Sequence, residues 1–134
     1  MADTVVFELV TPEKIQISEA VEMVVMPGAE GDFGVLPGHA PLISTIRPGV
    51  VSTYRGDKIE KQIFVAGGFA EVTETTATLL AEMAIPIEEL SAEMAQKAIH
   101  DANAKISAAE GEVARNHAEA DLAKAQAMMD SVNQ

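Results

Sequence analysis

Seven short apolar or alternating runs, at positions 5–10, 15–17, 21–26, 42–46, 50–54, 59–65 and 69–80, are separated by segments rich in turn-forming residues. Runs of this length between turn signals predict strands, and their number predicts an all-β sandwich or barrel. Arg55-Gly56-Asp57-Lys58 lies between two of the runs and reads as a hairpin turn, with Gly56 able to take a positive φ. Gly67-Gly68 marks a bend or close backbone approach between strands. The Gly28, Gly31, Gly34, Gly38 series reads as a structural loop. As a phosphate cradle it lacks the Gly-Lys-Ser/Thr ending, and Glu30 and Asp32 would repel phosphate.

From Glu88 the period changes to that of a helix, with 13 alanines in 47 residues and one glycine, Gly111. Leu90, Met94, Ala98, Ala102, Ile106 and Ala109 fall three or four apart and form one stripe, and Ala114, Ala118, Leu122, Ala125, Met129 and Val132 form another. Gly111 reads as the stop between two antiparallel helices of about 28 Å each, at 1.5 Å per residue. All five aromatics, all six prolines and eight of nine glycines precede residue 88, so the chain divides into 1–87 and 88–134, with Pro86 as the joint. Alanine stripes allow close approach but bury little area, so the hairpin is expected to need a docking surface to hold one position.

Composition narrows the function. Hydrophobic residues make up 48% of the 134 and charged residues 22%, which excludes disorder over most of the length. The net charge of −12 argues against nucleic acid or anionic lipid as a direct partner. The absence of cysteine removes disulfides, thiol nucleophiles and thiolate metal sites. Neither a leader pattern nor an apolar run of about 18 residues is present, so the chain is expected to be cytoplasmic and to touch a membrane only through protein partners.

Candidate chemistry is sparse. His39 lies in the Gly/Pro-rich segment and His100 and His117 on the helices, with no His-x-x-x-His pair and no carboxylate partner read at metal spacing, so no metal site is expected. An enzyme built on His39 and Asp32 would have only one candidate base, and no catalytic residue is expected. Met23, Met26 and Met94 read as core filling, and Met128-Met129 as either a frayed end or a partner-binding tip. A free-standing ligand-binding β-barrel with a helical lid remains the alternative, requiring a concave apolar pocket with convergent polar groups.

Met26-Pro-Gly-Ala-Glu-Gly-Asp-Phe-Gly-Val-Leu-Pro-Gly-His-Ala-Pro-Leu-Ile43, followed by Ile46-Arg-Pro-Gly-Val50, resembles the signature loop of the epsilon subunits of bacterial F-type ATP synthases. Phe64-Val-Ala-Gly-Gly-Phe-Ala-Glu-Val72 and Ala77-Thr-Leu-Leu-Ala81 resemble that family's second block, in the same order and spacing. The resemblance implies a ten-stranded β-sandwich followed by an antiparallel α-helical hairpin. It implies a non-catalytic subunit of the rotating central stalk, peripheral on the cytoplasmic face of the bacterial inner membrane, that couples the proton-driven c-ring to gamma. Glu30, Gly31, Asp32 and Phe33 match the segment facing the c-ring, where Asp32 would engage polar loops of the ring. Thr11, His39, Ala40, Pro41 and Ser44 match positions near gamma.

In the family the hairpin can move, reach the catalytic alpha and beta subunits transiently and regulate ATP hydrolysis. Nucleotide-binding members carry Ile-Asp-x-x-Arg-Ala where this chain has Ile87-Glu-Glu-Leu-Ser-Ala92, with Ser91 in place of arginine, so no nucleotide cofactor is expected. Residues 88–134 hold four basic side chains against nine acidic ones, a charge that would disfavour approach to an acidic target and implies a poor inhibitor.

Overall fold

A computed structural model describes residues 4–133. The chain divides into two compact units, Met1–Pro86 and Ile87–Gln134. The first holds ten strands: β1 (Val5–Val10), β2 (Ile15–Val21), β3 (Met23–Gly28), β4 (Gly31–Val35), β5 (Leu42–Thr45), β6 (Gly49–Arg55), β7 (Lys58–Ala66), β8 (Phe69–Val72), β9 (Thr76–Leu80) and β10 (Met83–Pro86). They form two five-stranded sheets, ordered β2-β1-β9-β8-β5 and β10-β7-β6-β3-β4. Every pairing is antiparallel except β1 with β9.

Alternation along the strands decides what lies between the sheets. Val5, Phe7 and Leu9 of β1 are buried, whereas Val6, Glu8 and Val10 between them point away from the core. Leu79 and Ala77 of β9 continue that buried layer, and Val24, Met26, Val51, Ile63 and Val65 supply the facing layer from the second sheet. The Glu19 carboxylate of β2 lies 3.1 Å from the Lys61 ammonium of β7, an ion pair that bridges the two sheets.

Two strand readings change in the structure, and two strands are added. The run 21–26 is broken at Glu22, where the chain leaves the first sheet as β2 and enters the second as β3; Val21 and Val24 are both core residues. The run 69–80 is two strands joined by a turn in which the Thr73 hydroxyl oxygen accepts the Thr75 and Thr76 amides at 3.3 and 3.0 Å. Two strands escaped the pattern: β4, whose alternation is hidden by Gly31 and Gly34, and β10, four residues ending on Pro86 at a sheet edge.

The second unit begins with a 3₁₀ turn, Ile87–Glu89, and holds α1 (Ala92–Ala108) and α2 (Glu112–Val132). Thus α1 starts at Ala92 rather than Glu88, because Ser91 is its N-cap and accepts the Met94 amide at 3.2 Å. The buried face of α1 runs through Ala95 and Ala102, which turns Met94 outward; on α2 it runs through Ala118, Ala125, Met128 and Ser131, which leaves Ala114 exposed. Met128 is therefore a packing residue, not a free tip. Gly111 has φ 90° but serves as the N-cap of α2, while α1 ends on extended Ala109. Lys105 of α1 reaches Asp121 of α2 at 3.1 Å, one ion pair across the hairpin.

Two of the turn glycines should respond differently to alanine. Gly68 has φ +101°, and a Cβ there would sit 1.8 Å from the Leu80 carbonyl oxygen, whereas Gly56, at φ +64°, faces open space. Gly68→Ala is expected to cost upwards of about 3 kcal/mol and Gly56→Ala about 1–2 kcal/mol. The difference is read from urea midpoints followed by the fluorescence of Tyr54, the single tyrosine of a chain without tryptophan. In the helical unit, Ser91→Ala should cost about 1 kcal/mol of local helix stability, seen as faster hydrogen exchange at the Met94 amide.

Candidate functional site

Glu30, Gly31, Asp32 and Phe33 come together at the tip of the β3–β4 hairpin. Gly28 pairs with Gly31 across a two-residue turn, Ala29-Glu30, and Pro27 and Met26 pair with Asp32 and Phe33. Residues opposite one another share a face, so Phe33 follows buried Met26 toward the core and is only partly exposed, while Asp32 points out. Gly28 is fixed by space: a Cβ would stand 2.7 Å from the Gly31 carbonyl oxygen and 2.9 Å from the Phe33 ring.

The tip is tied to the segment that leaves β5. Ala29 donates its amide to the Thr45 carbonyl at 2.9 Å, Arg47 donates its amide to the Pro27 carbonyl at 2.9 Å, and Gly28 bridges to Ile46. The Arg47 guanidinium donates from Nη1 to the Gly28 carbonyl and from Nη2 to Asp32 Oδ1. Arg47 was not among the sequence candidates; the signal available was an arginine held beside Pro48 in the second half of the signature segment.

The five other candidates do not converge. His39, Ala40 and Pro41 precede β5, in a loop whose Gly38 amide bonds the Glu74 carbonyl at 2.8 Å, beside the β8–β9 turn. Ser44 lies on β5, half-buried and opposite Ala70. Thr11 follows β1 at the other end of the sheet; its hydroxyl donates to the Lys14 carbonyl at 3.2 Å and accepts from Gln16 Nε2 at 3.3 Å, which closes the β1–β2 turn. The outer face of this first sheet spans the ground between them. Register places Thr45, Phe69, Leu80 and Val10 in one cross-strand row, with Ile43 in the row beside it. Phe69 is 44% exposed and Ile43 70%, so this face carries exposed apolar side chains, with Glu71, Thr78 and Glu8 in the same row as Ile43. Strand parity in the sequence carried that information: Phe69 and Leu80 are out of phase with the core residues Ala70 and Leu79.

Chemistry beyond binding finds little support. Asp32 is engaged by Arg47, and His39 Nδ1 donates to the Ala40 carbonyl at 2.7 Å, so the two do not form a base–acid pair. His117 and Asp121 do stand four apart on α2, a spacing missed in the sequence, but Asp121 is engaged by Lys105. No group of three or more metal-ligating side chains occurs among the described residues. Shifted titrations belong to exposed ion pairs: a hydrogen bond from Lys97 lowers Asp101, and a hydrogen bond to Glu60 raises Arg55.

Residues 4–87 match the model of the ATP synthase delta/epsilon chain β-sandwich domain. The ATP synthase epsilon chain of Rhodospirillum rubrum is 53% identical over 93% of this chain and 92% of its own length. That of Paramagnetospirillum magneticum is 48% identical over 98% and 99%. Among solved structures, a chain in the Euglena gracilis mitochondrial ATP synthase assembly of OSCP, F1 and c-ring superposes with a TM-score of 0.81 at 27% identity, covering 98% of this chain and 83% of that one. A chain of the Tetrahymena thermophila central stalk and c-ring shares the fold, with a TM-score of 0.72 at 12% identity over 96% of each chain. A sandwich of ten strands followed in sequence by a helical hairpin, matched nearly end to end by epsilon chains at 48–53% identity, places the chain in the ATP synthase epsilon-chain family.

Proposed function

We propose that this chain is a non-catalytic rotor subunit of the F-type ATP synthase central stalk, with the sandwich joining gamma to the c-ring and the hairpin acting as a separate regulatory element. The observation that carries the reading is a projecting hairpin tip cross-tied to the close-packed body of a sandwich, in a chain 53% identical to an epsilon chain. Torque passes through a part in proportion to its stiffness, and a packed two-sheet core deforms little. Glu30, Gly31, Asp32 and Phe33 form the surface toward the c-ring. Gamma covers the outer face of the first sheet, where His39, Ala40 and Pro41 at one side and Thr11 at the other border the exposed Ile43, Phe69 and Leu80, with Ser44 reached at the β5 edge of the sheet.

No bond is made or broken in this subunit. No described helix is long and apolar enough to cross a membrane. Attachment is through gamma and the ring, on the cytoplasmic face. Ser91, where nucleotide-binding relatives have arginine, is occupied in capping α1, which supports the absence of a bound nucleotide. The acidic hairpin meets the alpha and beta subunits only transiently.

A chain ending at Pro86 should co-purify with gamma. Phe69→Asp should weaken that complex at least tenfold, since burying a phenylalanine is worth about 1.5–3 kcal/mol. Failure of the shortened chain to bind, or full affinity in the Phe69 variant, would remove gamma from this face. Deleting residues 87–134 should raise ATP hydrolysis by the assembled enzyme less than about threefold, because exposed charge contacts contribute only about 0–1 kcal/mol each. A larger rise would show the hairpin to be an effective inhibitor.

A further inference from the structure

We propose that the ion pair between Glu19 and Lys61 guards the open edge of the first sheet, barring a second copy of this chain from adding its own β2 strand there.

Of the four edge strands, β4, β5 and β10 are four or five residues long, whereas β2 has seven, so the longest row of unpaired backbone groups lies along β2. Strand parity identifies these groups. The Val6 amide bonds the Thr75 carbonyl, so the even residues of β1 turn their backbone toward β9 and the odd ones toward β2. Val5, Phe7 and Leu9 pair with Val21, Glu19 and Ile17, which leaves the backbone groups of Ser18 and Ala20 directed away from β1. Both residues are exposed. A strand laid along them could complete another ladder.

The side chains of the same strand oppose that addition. Ile17, Glu19 and Val21 face inward: Val21 belongs to the core and Ile17 packs against it. Glu19 is the charged member of that row. Its Oε1 is out of water and lies 3.1 Å from Lys61 Nζ, an ionic contact without hydrogen-bond geometry, while 32% of the Glu19 side chain and 45% of that of Lys61 remain exposed. A neighbouring strand would set a side chain about 5 Å from the Glu19 Cβ on this face and displace much of the remaining water. Desolvating both ions further costs more than their attraction returns. Two copies meeting antiparallel about a two-fold axis would add repulsion, because the register centred on Glu19 sets one carboxylate opposite the other.

Stability does not account for the pair. Thr53, opposite Lys61 in the β6–β7 register, is fully buried, and its hydroxyl has no hydrogen-bond partner among the described residues. A buried hydroxyl left without a partner is a cost, and apolar side chains of similar volume at these three positions would serve the core as well or better. What the charges add is discrimination against strand addition.

The test uses the full free chain, with sedimentation velocity over a range of concentrations and hydrogen exchange read residue by residue. In the parent, the Ser18 and Ala20 amides should exchange at least about tenfold faster than that of Glu19, which faces β1. Glu19→Val with Lys61→Met should still unfold in one urea transition but self-associate at least about tenfold more tightly than the parent, with new protection at Ser18 and Ala20. Adding Ala20→Pro, which removes an edge amide, should return that variant to the parent's behaviour. Exchanging the charges, Glu19→Lys with Lys61→Glu, keeps an ion pair at the edge and should leave the chain as dispersed as the parent. The inference is overturned by a folded apolar variant no more associated than the parent, by association that survives Ala20→Pro, or by association of the charge-exchanged chain. It is overturned equally if the apolar variant fails to fold, since the pair would then be structural, or if Ser18 and Ala20 are already protected in the parent.

Discussion

Each strand before residue 87 has one face that must leave water, and five strands of one sheet can satisfy this only by covering the five of the other. Phe7, Leu9 and Leu79 on one side and Val24, Met26, Val51 and Val65 on the other are fully buried, and the remaining features hang on that contact. Because the buried faces are fixed, the outward faces are fixed too. Phe69 and Leu80 are exposed because their neighbours in sequence, Ala70 and Leu79, are needed inside. The same constraint explains the break at Glu22: one strand cannot serve both sheets, so the chain bends there and carries Val21 and Val24 into opposite layers of one core.

The hairpin tip extends this rigidity beyond the core. Two-stranded ribbons are marginal by themselves, and β4 lies at a sheet edge with only β3 as a partner. The ties from Thr45 through Arg47 supply what the missing strand would have given, and they come from the other sheet's β5 and the link that follows it. The tip is therefore coupled to both sheets at once, which is the mechanical requirement for a part that must pass force without bending.

Much of this was legible from residue order. Alternation and turn residues located eight of the ten strands, although β8 and β9 ran together and the boundary between β2 and β3 was misplaced: the crossing at Glu22 and the threonine turn at Thr73 carry no glycine or proline to mark them. The missing two share a cause. In β4 the glycines replace the side chains by which alternation is recognised, and β10 is four residues long. The helical stripes were nearly right, but at small residues the pattern is degenerate. Alanine is compatible with several faces of a helix, so Met94 was set inward although Ala95 is the buried residue. Ser91 shows the opposite case, where a motif comparison read an absence and the local structure gives the serine a positive role as a cap.

The site was less legible than the fold, because its residues are defined by pairings between distant segments. Glu30 to Phe33 could be found as a contiguous stretch. Arg47 could not be assigned to it, since 15 residues separate it from Asp32 and no periodicity links them. Parity marks Phe69 and Leu80 as outward singly, but the outer face could not be assembled from it, because Ile43, Phe69 and Leu80 become neighbours only through the β5–β8–β9 register. A charged residue near a Pro-Gly pair and apolar residues out of phase with a core are weak signals singly. They acquire meaning only when strand order is known, and strand order is the property that local sequence encodes least.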